Sequence, residues 1–186
     1  MAHPVHPRID PDPYPLWYVL IATPEEKLFW DLINEARQHP ELDKYRPLGN
    51  TQGALMAGCR YKFFSSHGLT DTASSHNDYL KDQDKAWVVA DLNMHRGPSG
   101  KLVWEDGEPM YQRSFIVWRA ENVAVGYETP EEAVRAWMQH DEEWGWGHRN
   151  AILRCETKRA GVSHYQGGPW GHYWTLDMGT RPIDMG

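Results

Sequence analysis

Residues 160–178 read AGVSHYQGGPWGHYWTLDM. Two runs suited to strands, 160–165 and 172–178, flank Gln166-Gly167-Gly168-Pro169-Trp170-Gly171. A glycine-rich turn between two such runs predicts a β-hairpin. Side chains alternate along a strand, so Trp174, Leu176 and Met178 share one face while Tyr173, Thr175 and Asp177 share the other. Upstream of the hairpin the signals are helical. Thr23-Pro24-Glu25-Glu26 and Thr129-Pro130-Glu131-Glu132 each offer a threonine N-cap, a proline at the first helical position and a glutamate that closes a capping box. Leu28, Phe29, Leu32, Ile33 and Ala36 follow the first start at helical spacing; Ala133, Val134, Trp137 and Met138 follow the second. Pro40 bounds the first helix, and Gly145 and Gly147 set the expected end of the other. Helices first and a hairpin last predict an α+β domain, with helices packed on a small antiparallel sheet.

Between these landmarks the pattern is thinner. Pro47, Gly49, Gly53, Gly58 and Gly68 mark residues 46–68 as loop. A helix is expected from about Leu69 to Leu80, capped by Thr70 or Asp71, with a weaker one over Ala86–Met94. Residues 95–109 read as loop, and the apolar run Tyr111–Trp118 has no decisive period. The first 15 residues hold five prolines and predict an extended arm, giving a division into an arm over 1–22 and one domain over 23–186.

A chain of 186 residues with 40% hydrophobic and 24% charged residues suits a single globular domain with a real core. The formal net charge of −7 lacks the basic footprint of nucleic-acid binding and argues equally against anionic membranes. The longest apolar run, Leu16–Ala22, is too short to span a bilayer, which takes about 20 residues. Prolines precede it and no basic n-region stands before it, so no targeting signal is legible. Cys59 and Cys155 fit either one disulfide or two buried thiols, and no CxxC pair is present.

Enzyme signatures are absent: there is no HExxH, GxSxG, P-loop or GxGxxG. Gly145-Trp146-Gly147 follows a helix and lacks a third glycine, which excludes a dinucleotide fingerprint. Four residues stand out by chemistry: His95, Glu121, His140 and His148. Imidazole nitrogens and a carboxylate together suit zinc or a similar divalent ion. Their long spacings carry little information alone. His67, His164 and His172 have no legible partner and read as surface or hairpin residues.

The order of several short elements is more specific. Leu32-Ile-Asn34-Glu-Ala-Arg37 and Ala73-Ser-Ser-His76 come first. His95-Arg-Gly-Pro-Ser-Gly100 with Arg113 and Glu121-Asn122-Val-Ala-Val-Gly126 follow. Then come Thr129–Val134 with Trp137-Met138, Gly147-His148-Arg149-Asn150-Ala-Ile-Leu153, Ala160-Gly161-Val162 and Tyr173-Trp174-Thr175-Leu-Asp177-Met-Gly179. Together, from Glu25 to Gly179, they resemble the CAP superfamily of cysteine-rich secretory proteins, antigen five and pathogenesis-related proteins, in particular its bacterial SCP-like branch.

The resemblance implies a three-layer α-β-α sandwich with a cavity that binds a divalent metal, zinc by preference. His95, Glu121 and His148 fall on three ligand positions. The fourth, usually glutamate, is occupied by His140, with Asp141 as the alternative. His76, Asn122, Trp144 and Trp146 are expected at the cavity, the two tryptophans either lining its mouth or capping the core. Arg149 is expected to pair with a buried acid. The implied function is extracellular or periplasmic binding of a small molecule, lipid, carbohydrate or protein. The alternative is a metal-assisted hydrolase with Glu121 as base.

Overall fold

A computed structural model describes residues 22–105, 108 and 118–180. The expected arm, Arg113 and nearly all of the Tyr111–Trp118 run lie outside the described residues.

Helix α1, Pro24–Gln38, starts with the full capping box: Thr23 accepts from the Glu26 amide and Glu26 accepts from the Thr23 amide. Its apolar stripe buries Phe29, Trp30, Ile33 and Ala36. A two-residue strand β1, Phe64–Ser65, interrupts the expected loop. Helix α2, His67–Leu80, begins two residues before the expected start. Ser66 stands at its N-cap without a side-chain cap bond, so neither Thr70 nor Asp71 is the cap. The weak helix over 86–94 resolves into a single turn α3, Lys85–Val88, and a 3-10 turn, Asn93–His95.

Strand β2, Trp118–Val125, leads to helix α4, Pro130–Gln139, which repeats the capping box with Thr129 and Glu132. Helix α4 stops at His140, well before Gly145. A 3-10 turn, Glu142–Trp144, and a short helix α5, Gly147–Leu153, follow. The hairpin is β3, Arg159–Gly167, and β4, Gly171–Thr180.

The sheet order is β1-β3-β4-β2. β3 with β4 and β4 with β2 are antiparallel, whereas β1 runs parallel to β3, so the sheet is mixed and not purely antiparallel. The alternation in β4 sorts the layers. Trp174, Leu176 and Met178 join Phe29, Ile33, Trp137 and Met138 in the main core under α1, α4 and α5. Tyr173 packs with Leu80 and Val88 on the opposite face, and Thr175 donates to Asn77 of α2 at 2.7 Å. Helix α2 lies directly on β3 at Gly161, where a Cβ would collide with the Thr70 amide nitrogen. This is an α-β-α sandwich.

A disulfide joins Cys59 to Cys155 across 96 positions of sequence. Arg37, fully buried, fixes the same region by donating to the carbonyls of Tyr61, Ile152, Arg154 and Thr157. Its guanidinium also covers the Phe63 ring at 3.8 Å.

Candidate metal and ligand cavity

The cavity lies along β2, whose alternation places successive side chains on opposite layers. Glu121 pairs in register with Asp177 and faces the α2 layer. Asn122, one residue on, faces the α5 layer and donates to the His148 carbonyl at 3.0 Å. One strand therefore holds histidines from both sides, His76 and His95 through Glu121 and His148 through Asn122.

His95 ends the 3-10 turn after α3. Its Nδ1 donates to Glu121 Oε1 at 2.8 Å. Behind the same carboxylate, His76 of α2 lies with Nδ1 2.6 Å from Oε2 and Nε2 3.2 Å from the Arg96 carbonyl. Burial of Glu121 opposes its ionisation. The charge and hydrogen bond of His76, followed by His95, outweigh burial and hold the carboxyl down at about 2. Glu121 is thus a buried carboxylate with both oxygens spent on imidazoles. His76 is fully buried behind it and does not line the cavity.

His148 lies in the first turn of α5. Its Nδ1 donates to Asp141 Oδ1 at 2.5 Å. Asp141 Oδ2 accepts from the backbone amides of His148 and Arg149 at 2.8 and 3.1 Å, so one carboxylate fixes both the ring and the helix start. A carboxylate there also suits the exposed amides of a helix N-terminus. The Arg149 guanidinium donates to the carbonyls of Tyr45, Leu55 and Met138, where an acid was expected. Burial, partly offset by Asp141, pushes Arg149 down to about 10.

The rings of His95 and His148 stand with centroids 6.2 Å apart. Both line a cavity of about 330 Å³ and the adjoining one of about 290 Å³, as do Leu92 and Trp144. Their Nδ1 atoms are committed to carboxylates, which leaves the two Nε2 atoms as donors. Among the described residues no three His, Cys, Asp or Glu side chains form a metal-holding group.

His140 lines the rim of the larger cavity, but Asp141, the next residue, is the one that reaches His148. Asn122 lines the smaller cavity. Trp144 is half exposed at the mouth of both. Trp146 is buried, with its indole bonded to the Asn50 carbonyl, and lines neither. Asp91, Trp104, Tyr127, Glu143 and Trp170 also line the cavities, and of these only the abundance of tryptophan was a sequence signal. His164 and His172 do have a partner: each other, with Nε2 and Nδ1 3.0 Å apart and His164 stacked 3.8 Å from Trp174.

An α-β-α sandwich with a histidine-lined cavity beside one edge strand defines the class of domain. The cysteine-rich secretory protein family (CAP) matches residues 30–178, and the chain belongs to it. Solved structures of similar fold include an outer surface protein from Borrelia burgdorferi. It is 15% identical, with a TM-score of 0.56, covering 84% of this chain and 92% of that one. Venom allergen-like protein 4 of Schistosoma mansoni is 12% identical, with a TM-score of 0.54 over 86% and 94% of the two chains. NaASP2 with Zn2+ is 15% identical, with a TM-score of 0.48 over 87% and 82%. No curated protein sequence matches the chain. No helix among the described residues is long and apolar enough to cross a membrane.

Proposed function

We propose that this chain is an extracytoplasmic binding protein whose cavity holds a divalent metal, zinc by donor chemistry, through Nε2 of His95 and of His148. The observation that carries the reading is the pair of carboxylate-held imidazoles facing one cavity. A carboxylate on the far nitrogen fixes the tautomer and orientation of a metal-bound histidine and raises its basicity. Glu121 does this for His95 and Asp141 does it for His148. The ring centroids stand 6.2 Å apart, about 1 Å wider than two imidazoles on one tetrahedral ion require, so the rings must close slightly to share a metal.

Glu121 and Asp141 act from outside the coordination sphere, because their oxygens are already engaged. Two protein donors leave coordination positions open to a bound molecule. A metal there would supply a Lewis-acidic centre for an oxygen or nitrogen of that ligand. Trp144 and Leu92 shape the walls around it. The hydrolase alternative needs Glu121 as base, and both of its oxygens are already bonded to imidazoles that hold it as a carboxylate. Binding is therefore the better-supported function. The disulfide, a bond favoured in oxidising compartments, supports the extracytoplasmic assignment.

Calorimetric titration of chelator-stripped protein with zinc tests the reading. One equivalent should bind to the parent and none to His95→Ala or His148→Ala at unchanged fold. Binding retained in both variants would overturn it.

A further inference from the structure

The larger cavity has a wall chemistry of its own. Tyr127, Trp137, Trp144 and Trp170 supply four aromatic rings. Asp91 and Glu143 supply exposed carboxylates at the mouth, while Asp141 is already engaged by His148. Among the described residues that line this cavity there is no lysine or arginine. Aromatic faces carry negative charge density and attract cations, most strongly where water is displaced. Carboxylates beside them add to the same potential. Burial, and after it the Glu143 and Glu132 carboxylates, push the Tyr127 phenol up from its ordinary value. Outside this lining, Lys85 rests its ammonium 4.9 Å from the centre of the Trp170 ring.

We infer that the larger cavity recognises an organic cation, of the alkylammonium or quaternary ammonium class, against Trp144 and Tyr127 with Asp91 and Glu143 balancing its charge. The carboxylates set a preference for charge, and the rings set a preference for a soft, weakly hydrated cation over a small metal ion. Half exposed at the junction of the two cavities, Trp144 is the residue that decides access. The inference shares the ligand cavity of the proposed function and rests on that cavity being a binding site, but it does not depend on the metal.

The experiment compares choline with its uncharged isostere 3,3-dimethylbutan-1-ol, by tryptophan fluorescence and calorimetry on chelator-stripped protein. Choline should bind at least about tenfold more tightly than the alcohol. Trp144→Ala and the double variant Asp91→Asn/Glu143→Gln should each weaken choline by about fivefold or more. Trp144→Phe should restore most of the loss, which separates the aromatic face from a folding defect. Equal binding of choline and the alcohol would overturn the inference, leaving only an apolar groove. So would failure of choline to bind at all. The two readings fail separately. Choline binding that survives His95→Ala/His148→Ala upholds the cation pocket whatever zinc does. Zinc uptake that survives Trp144→Ala upholds the metal reading whatever choline does.

Discussion

Asp141 does more with two oxygens than any other side chain at the cavity. It holds the His148 ring and satisfies the His148 and Arg149 amides in the first turn of α5. Asp141→Ala strands buried donors and removes the anchor of one proposed ligand. It should cost about 2–4 kcal/mol in a denaturant unfolding measurement, whereas Asp141→Asn, which keeps one acceptor, should cost less. A variant as stable as the parent would show that α5 is held by other contacts. Side-chain pairings are also the features that the sequence reveals least. His95, Glu121 and His148 were legible through the family-like motifs around them. The pairing of Asp141 with His148 was not, because only the turn from α4 into α5 brings them together. Nor was the pairing of His164 with His172, which depends on the exact register of the hairpin.

At the scale of elements, legibility followed local chemistry. Both Thr-Pro-Glu-Glu starts carry their own hydrogen-bond partners within four residues, and both form as written. The hairpin carries its turn and its alternation, and it too forms as written. Helix α2 starts on Ser66 with no cap bond, so nothing local marks its beginning. Helix α4 ends at His140 although the next residues contain no proline, and Trp146 then turns in the left-handed region at φ 64°, a conformation glycine usually supplies. β2 places Glu121 and Asn122 on opposite faces, so the period-two apolar signal is missing. The polar pair that hides the strand is the same pair that organises the cavity.

The loops after α1 and α5 are tied by the Cys59–Cys155 disulfide, which restricts an unfolded loop of about 100 residues. In the chain-entropy model such a closure is worth about 4–5 kcal/mol. Cys59→Ala/Cys155→Ala should lower unfolding free energy by about that amount. An unchanged midpoint would mean that Arg37 and its four carbonyl partners hold this region alone.

For the whole molecule, stability should depend on pH in two separable windows. His164 is pushed down to about 4, first by burial and then by repulsion from His172. Between the ordinary imidazole value of about 6.5 and 4, the unfolded chain binds a proton that the folded chain refuses. Stability therefore falls as pH falls through that window. Glu121, held at about 2, contributes stability above pH 4.5 that is lost as pH drops toward 2. Thermal melts of His164→Gln should show a flatter dependence from pH 6.5 to 4 and the parent's decline below it. An unchanged slope in the upper window would remove His164 as its cause.

In the proposed site His95 and His148 share one ion through Nε2 while their Nδ1 protons remain on Glu121 and Asp141. Nitrogen-detected imidazole spectra of stripped protein, recorded as zinc is added, observe all four atoms at once. Both Nε2 resonances should move together and stop at one equivalent, with both Nδ1 atoms still protonated. Zinc that left these two rings unmoved, or that moved only His164 and His172, would contradict the assignment of the cavity as a metal site.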